Sequence, residues 1–434
     1  MLKKIKKVHK KALIITYYWP PAGGPGVQRW LKFVKYLRDF NIDPIVYIPD
    51  NPNYPITDES LLAEVPEGIT ILKQPIKEPY KFAKLLSKKS SNTISKGIIS
   101  EQKKQSLIER ILLYIRGNFF IPDARKNWVK PSVDYLSRYI EKNQISTIIT
   151  TGPPHSLHLI GLKLKDKLSV KWFADFRDPW TSIGYHKQLK LTQSSRLKHK
   201  ELEKQVLHKA DEIIVTSFKT QEEFQEITKQ PISVITNGYD IEVFEKEELD
   251  KQFSIAHIGS LLSERNPEIL WQVLSELIKE DTVFASKFQL TLVGAVSKVV
   301  INSLKKYDLF YYVNYLGYVS HKEALKYQHK SQLLLMIEID SEDTKCIIPG
   351  KLFEYMVSNR PIIAIGPIDS DVERIIKATN TGKYFNYTEY KALKETIQTH
   401  FNAFQNNNLK THPIGLQQYS RRELTKKLSE LLNS

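Results

Sequence analysis

Residues 12–48 read ALIITYYWPPAGGPGVQRWLKFVKYLRDFNIDPIVYI, and the fold follows from this stretch. A short β-branched run over 13–17 predicts a buried strand. The loop Pro20-Pro-Ala-Gly-Gly-Pro-Gly26 ends it. From Val27, apolar side chains recur at helical spacing (Val27, Trp30, Leu31, Val34, Leu37), while Arg29, Lys32, Lys35 and Arg38 take the other faces. A second apolar run over 44–48 predicts the next strand. Strand, helix, strand at this spacing is one parallel βαβ unit.

The alternation continues along the chain. Strands are expected at 146–150, 170–174, 212–216 and 232–235, with helices between them. A second series has strands at 254–258, 289–293, 313–316, 333–337 and 361–365, and helices near 267–280, 297–306, 321–329, 350–358 and 370–378. The acidic, polar stretch before residue 253 reads as a linker. The expected organisation is an α/β chain of two Rossmann-like domains, their parallel sheets facing a central cleft. Its parts are residues 1–240, a linker over 241–252, a second domain over 253–412, and a C-terminal helix within 413–434 packing back on the first domain. Open parallel sheets bind ligands beyond the carboxyl ends of their strands.

Charge is unevenly placed. The net formal charge of the 434 residues is +16, and residues 1–130 carry 24 basic against 11 acidic side chains. An anionic partner for the first domain is the implied reading. Basic helices over 81–89 and 103–116 are candidates for docking on an anionic membrane surface, and the stretch 87–100 reads as a loop. No RRM, KH or zinc-finger signature supports nucleic acid. A lone cysteine, Cys346, excludes an intrachain disulfide, and no apolar run is long enough for a membrane span. The basic N-terminus followed by ALIITYYW lacks a signal-peptide cleavage pattern, so a cytoplasmic protein, peripheral at most on the inner membrane face, is expected.

Five motifs fall at expected strand ends. Gly23 and Gly24 precede a helix and let backbone amides approach an anion. They are neither a dinucleotide fingerprint nor a Walker loop, because Arg29 stands where a third glycine is needed and no Gly-Lys-Ser/Thr follows. In TTGPPHSLHL, His155 opens a helix that Ser156 is placed to cap, and His158 lies one turn on. FADFRDPW sets Asp175, Arg177 and Asp178 together, either to orient a ligand or to brace the loop by ion pairing. HIGSLLSERNPEIL places Gly259 after a strand and Arg265 at the next helix start. CIIPGKLFEYMVSNRPIIAIG opens a helix at Gly350 with Lys351 beside it and Glu354 one turn in. Asp369-Ser-Asp371 reads as a helix cap rather than a metal site.

Together these motifs resemble the retaining GT-B glycosyltransferases of the family-4 group. The resemblance implies that Gly350, Leu352 and Lys351 hold the donor diphosphate and that Glu354 holds the ribose. Arg265 stands at the position of the family's lysine in the phosphate clamp that begins at Gly259, and Ser260 replaces the usual arginine. Asn237 belongs to the Asn-Gly-x-Asp turn that closes the first domain, and His155 matches a donor-sugar contact. Cys346 stands where the family often has a glutamate, with Glu342 and Asp343 nearby. The resemblance implies a monomer that uses a UDP- or GDP-linked sugar, with no cofactor and no metal. The acceptor would be a saccharide or a polyprenyl- or other lipid-linked molecule, and the setting surface polysaccharide or glycolipid assembly. The other classes the sequence admits are a sugar-nucleotide epimerase, a basic nucleic-acid binder and a donor-free relative.

Overall fold

A computed structural model describes residues 9–78, 107–240 and 247–434. The expected helix over 81–89, the loop over 87–100 and the first half of the linker lie outside the described residues, as do residues 103–106 of the second basic helix. The chain divides into two units, one of residues 1–237 with 421–434 and one of residues 238–420.

The first unit holds a seven-stranded sheet in the order β3-β2-β1-β4-β5-β6-β7. Its strands are β1 (Lys10–Ile15), β2 (Ile42–Asp50), β3 (Thr70–Pro75), β4 (Thr147–Gly152), β5 (Lys171–Phe176), β6 (Glu212–Val215) and β7 (Ile232–Val234). Every pairing is parallel: Leu13 of β1 lies opposite Ile45 on one side and Ile148 on the other. Helices are α1 (Pro25–Leu37), α2 (Leu107–Phe119), α3 (Val129–Asn143), α4 (Ser156–Lys167), α5 (Gly184–Lys187), α6 (Gln193–Lys209) and α7 (Phe218–Gln225). Leu13 and Ile15 enter one apolar core, while Ala12 and Ile14 enter another on the opposite face. A strand buried on both faces has no polar side, which is why β1 reads as a continuous apolar run.

The second unit holds a six-stranded sheet, β10-β9-β8-β11-β12-β13. Its strands are β8 (Phe253–Ile258), β9 (Phe288–Val293), β10 (Val313–Gly317), β11 (Leu333–Ile337), β12 (Ile362–Ile365) and β13 (Gly382–Phe385). Its helices are α8 (Glu268–Glu280), α9 (Thr282–Lys287), α10 (Lys298–Lys306), α11 (His321–Lys330), α12 (Gly350–Val357), α13 (Asp371–Thr379) and α14 (Tyr390–Gln405). All pairings are again parallel. In each sheet the chain order reverses at the first strand, beside β4 in one and beside β11 in the other, which places ligand sites at those strand ends.

The last helix, α15 (Arg421–Asn433), belongs to the first unit. Leu424, Leu428 and Leu432 join the core formed by Val27, Trp30, Leu31 and Val34 of α1. The described division falls at 237/238 and 420/421, rather than at the expected 240 and 412, because the 3-10 turn Leu416–Tyr419 stays with the second unit. Two strands escape the sequence reading. β3 is an edge strand with half-exposed residues and no apolar run, and β13 is short and opens with glycine. The cap of α13 is Ser370 rather than an aspartate: its hydroxyl accepts from the Glu373 amide at 3.1 Å.

Candidate functional site

In the second unit the residues converge at the carboxyl end of β8. Gly259 follows the strand with φ 113°, a left-handed conformation that favours glycine. A side chain at Gly294 would strike the Gly259 carbonyl at 2.7 Å, so the two loops touch backbone to backbone. Helix α12 is pinned to this end by two side chains one turn apart. Lys351 Nζ donates to the Ile258 carbonyl at 2.9 Å, and the Ile258 amide donates to the Tyr355 hydroxyl at 2.9 Å. A Cβ added at Gly259 would lie 3.5 Å from Lys351 Nζ. The lysine amine is thus held against the glycine turn.

Burial, reinforced by Arg265, pulls the Lys351 pKa down to about 7. At a pKa near neutrality the amine is charged only part of the time, and a neighbouring anion would favour its charged form. Arg265 occupies a 3-10 turn (Ser263–Arg265) three residues before α8, not the helix start itself. Its Nε is buried without a hydrogen-bond partner. Gly350 is the first residue of α12, has open space around its Cα and lacks a side-chain cap, so the helix end is available to an anion. Glu354 accepts from Gln328 Nε2 at 3.1 Å and lies 3.9 Å from His321 Nε2. Ser260 is exposed. Leu352 has a fully buried side chain, and its amide donates to the Pro349 carbonyl at 3.0 Å.

Glu338, at the end of β11, was not singled out in the sequence. Tyr384 and Ser370 donate to its Oε2 at 2.7 and 3.0 Å, while its buried Oε1 has no partner. Burial pushes its pKa up to about 8, so the carboxyl is mostly protonated at neutral pH. Because the fold prefers the protonated form, its stabilising effect is complete below pH 4.5 and is lost as pH rises through 8. Replacing Glu338 with Gln is expected to remove that fall, as read by urea denaturation at acidic, neutral and mildly alkaline pH. An unchanged slope would place its cause elsewhere. A glutamate ending an apolar run resembles any strand terminus, so only the Tyr384 and Ser370 contacts reveal it.

In the first unit, Gly24 takes φ 94° as the cap of α1 and has open space around its Cα. The Gly23 amide donates to Ile56 at 2.9 Å, which ties the loop to residues 56–58. Asn237 is the last residue of the unit before the division. His155 immediately precedes α4 without a side-chain capping bond, stacks on Trp180 at 4.9 Å and leaves both ring nitrogens buried without partners. Burial, then His158 and His186, hold it well below the ordinary histidine range, so it is a neutral imidazole. Ser156 is not the cap; its amide and hydroxyl both donate to Asp123, at 2.8 and 2.9 Å. His158 packs on Phe176 and accepts or donates at Thr150 Oγ1 (2.9 Å), with its pKa lowered by burial to about 3.

The FADFRDPW charges do not form one cluster. Asp175 is fully buried and its partner is Arg29 of α1, at 2.8 Å. Trp30 Nε1 and Thr151 Oγ1 each donate to the same carboxylate at 2.8 Å, and Arg29 also donates to the Thr236 carbonyl at 3.0 Å. Asp175 therefore has no capacity left for a ligand. Burial works to raise its pKa, but Arg29 and the other donors outweigh that and hold it below the ordinary range. Arg177 donates to the Gly152 and Pro153 carbonyls and lies over the Tyr18 ring. Burial raises the pKa of Asp178. Among the described residues, no group of His, Cys, Asp or Glu is arranged to hold a metal.

Residues 98–243 match the family model described as Glycosyltransferase Family 4. Solved structures cover nearly the whole chain. A glycosyltransferase from Rickettsia africae ESF-5 superposes with TM-score 0.61 at 13% identity, covering 98% of this chain and 97% of its own. The fold is GT-B. Sucrose-phosphate synthase from Thermosynechococcus elongatus gives TM-score 0.59 at 13% identity over 98% of each chain. Anabaena HepE, solved with UDP and glucose, gives TM-score 0.56 at 14% identity over 98% of this chain and 100% of its own. No curated protein matches in sequence. The GT-B fold accounts for the two parallel sheets, one in each unit.

Proposed function

We propose that the protein transfers a sugar from a nucleoside-diphosphate donor, UDP- or GDP-linked, to a saccharide or lipid-linked acceptor with retention of configuration, in surface polysaccharide or glycolipid assembly. The supporting observation is the half-buried Lys351 amine at the open start of α12, set against Gly259. Lys351, Arg265 and the α12 amides would neutralise the diphosphate as it leaves, so the reading needs neither metal nor cofactor. Glu354 would accept from the ribose hydroxyls. The neutral imidazole of His155 would hydrogen-bond the donor sugar. The acceptor is assigned to the first unit, where Arg177 and Asp178 remain candidates and Asp175 does not. Retention requires the glycosidic bond to the diphosphate to break and the new bond to form on the same face of the sugar.

Calorimetric titration with UDP and GDP tests the donor half, and mass spectrometry of products from a panel of nucleotide sugars tests the transfer. Binding of one nucleotide, with product formed only when acceptor is present, is the expected result. Failure to bind either nucleotide would overturn the reading, and interconversion of the donor without acceptor would make the protein an epimerase.

A further inference from the structure

His257, which opens the stretch HIGSLLSERNPEIL, is the last residue but one of β8 and is buried. Both of its ring nitrogens are engaged. Nδ1 lies 3.0 Å from the Leu335 carbonyl of β11, and Nε2 lies 3.4 Å from Lys351 Nζ of α12. A carbonyl oxygen can only accept, so Nδ1 carries the hydrogen. The ring is neutral: burial first, then Lys351 and Arg265, hold it well below the ordinary histidine range against the pull of the Leu335 and Ser260 carbonyls. A neutral imidazole has a single N–H. Nε2 is therefore a bare lone pair, and it faces the amine.

That lone pair completes the fixing of Lys351. An ammonium has three N–H donors. One goes to the Ile258 carbonyl at 2.9 Å and one to His257 Nε2. Among the described residues the amine has no third hydrogen-bond partner, and the Gly259 turn beside it carries no side chain to fill the space. The other charges that face the amine are Arg265, which disfavours the ammonium, and Glu354 on α12, which favours it. A neutral acceptor favours the ammonium without placing a negative charge beside an incoming diphosphate. A carboxylate in the place of His257 would hold the lysine equally well but repel that ligand.

We infer that His257 is a positioning residue for the donor diphosphate: anchored to Leu335 as the Nδ1–H tautomer, it accepts from Lys351 at Nε2 and holds the ammonium with its third N–H left for a phosphate oxygen. The inference rests on the reading of Lys351 as the diphosphate's partner. The His257–Lys351 bond is present with and without nucleotide. Its loss is therefore felt where the free protein has shed the lysine proton and must take it back on binding. At lower pH the charge is in place either way.

The test is calorimetric titration of the full chain with UDP and GDP between pH 6 and pH 9, on wild type, His257→Asn and His257→Gln. The asparagine amide falls where Nδ1 stood, so it keeps the Leu335 bond and leaves Lys351 without its acceptor. The glutamine amide reaches the place of Nε2 and restores one. Comparing proteins at the same pH cancels the nucleotide's own titration. His257→Asn is expected to match wild type at pH 6, to bind about tenfold more weakly at pH 8 and to take up more proton on binding at pH 7, while His257→Gln follows wild type. A packing role would lower the urea stability of both variants and move neither pH profile. Nitrogen-15 spectra of the wild-type imidazole read the tautomer without any substitution, and a ring protonated at Nε2 would overturn the inference. So would a wild-type pH profile in His257→Asn, or the same displacement of the profile in both variants. In each of these cases wild type still binds nucleotide and the sugar-transfer reading stands, whereas a wild type that binds neither nucleotide overturns both.

Discussion

Replacing Lys351 with Met is expected to weaken nucleoside-diphosphate binding 30-fold or more while leaving the fold as stable or more so. The half-buried amine is held against Ile258 and Gly259, and its pKa is drawn down to about 7. Water solvates a lysine better than this pocket does, so the charged form costs the apo protein stability. The folded pKa lies below the ordinary 10.5, so the unfolded chain binds more protons between those values. Wild-type stability should therefore rise with pH across that window, and the gain from Met should be larger at pH 6 than at pH 10. Nucleotide binding should behave in the opposite way. The diphosphate needs the ammonium, so affinity should fall as pH rises above about 7, and binding at mildly alkaline pH should take up a proton. Calorimetry in two buffers of different ionisation enthalpy measures that uptake. Removing the cation from beneath a bound diphosphate costs about 2–5 kcal/mol, or a loss of 30-fold or more. Loss of stability in the variant without loss of nucleotide affinity would make Lys351 a packing residue.

The parts of this structure legible in the sequence are those encoded locally. β1, α1 and β2 declare themselves because a strand buried on both faces must be apolar throughout, and because Val27, Trp30, Leu31, Val34 and Leu37 are all needed on one helix face. Gly350, Lys351 and Glu354 are recognisable as a helix start with a cation beside it. What the sequence hides is pairing over long separations. Three charges within FADFRDPW suggest a cluster, yet Asp175 and Arg177 lie on neighbouring strand-end positions and find separate partners, Arg29 and the carbonyls of Gly152 and Pro153. The Glu338 environment is likewise assembled from β11, the α13 cap and β13, the last of these too short and polar to be seen as a strand.

Asp175→Ala is expected to cost the first unit about 3–5 kcal/mol, because it strands Arg29 as an uncompensated buried cation. Two more groups are affected by the same change, because Trp30 Nε1 and Thr151 Oγ1 lose their acceptor, and Arg29 keeps only the Thr236 carbonyl as a hydrogen-bond acceptor. Asp175→Asn keeps an acceptor oxygen but not its charge, so its cost should be smaller. Replacing both members of the pair, Arg29→Met with Asp175→Leu, removes the stranded charge and should recover part of the loss, since a buried ion pair can be exchanged for apolar packing of similar volume. Urea denaturation measures these differences, and adding Arg29→Met and Asp175→Leu as single variants closes the cycle, whose shortfall from additivity gives the coupling between the two residues. The same series decides whether Asp175 braces the fold or acts on a substrate. A bracing residue moves stability in all three variants and leaves the affinity for nucleotide intact in whatever fraction stays folded. If Asp175→Asn instead folds with wild-type stability but fails to transfer sugar, the carboxylate belongs to the acceptor machinery, and the saturation of its oxygens by Arg29, Trp30 and Thr151 would have to be relieved when substrate binds.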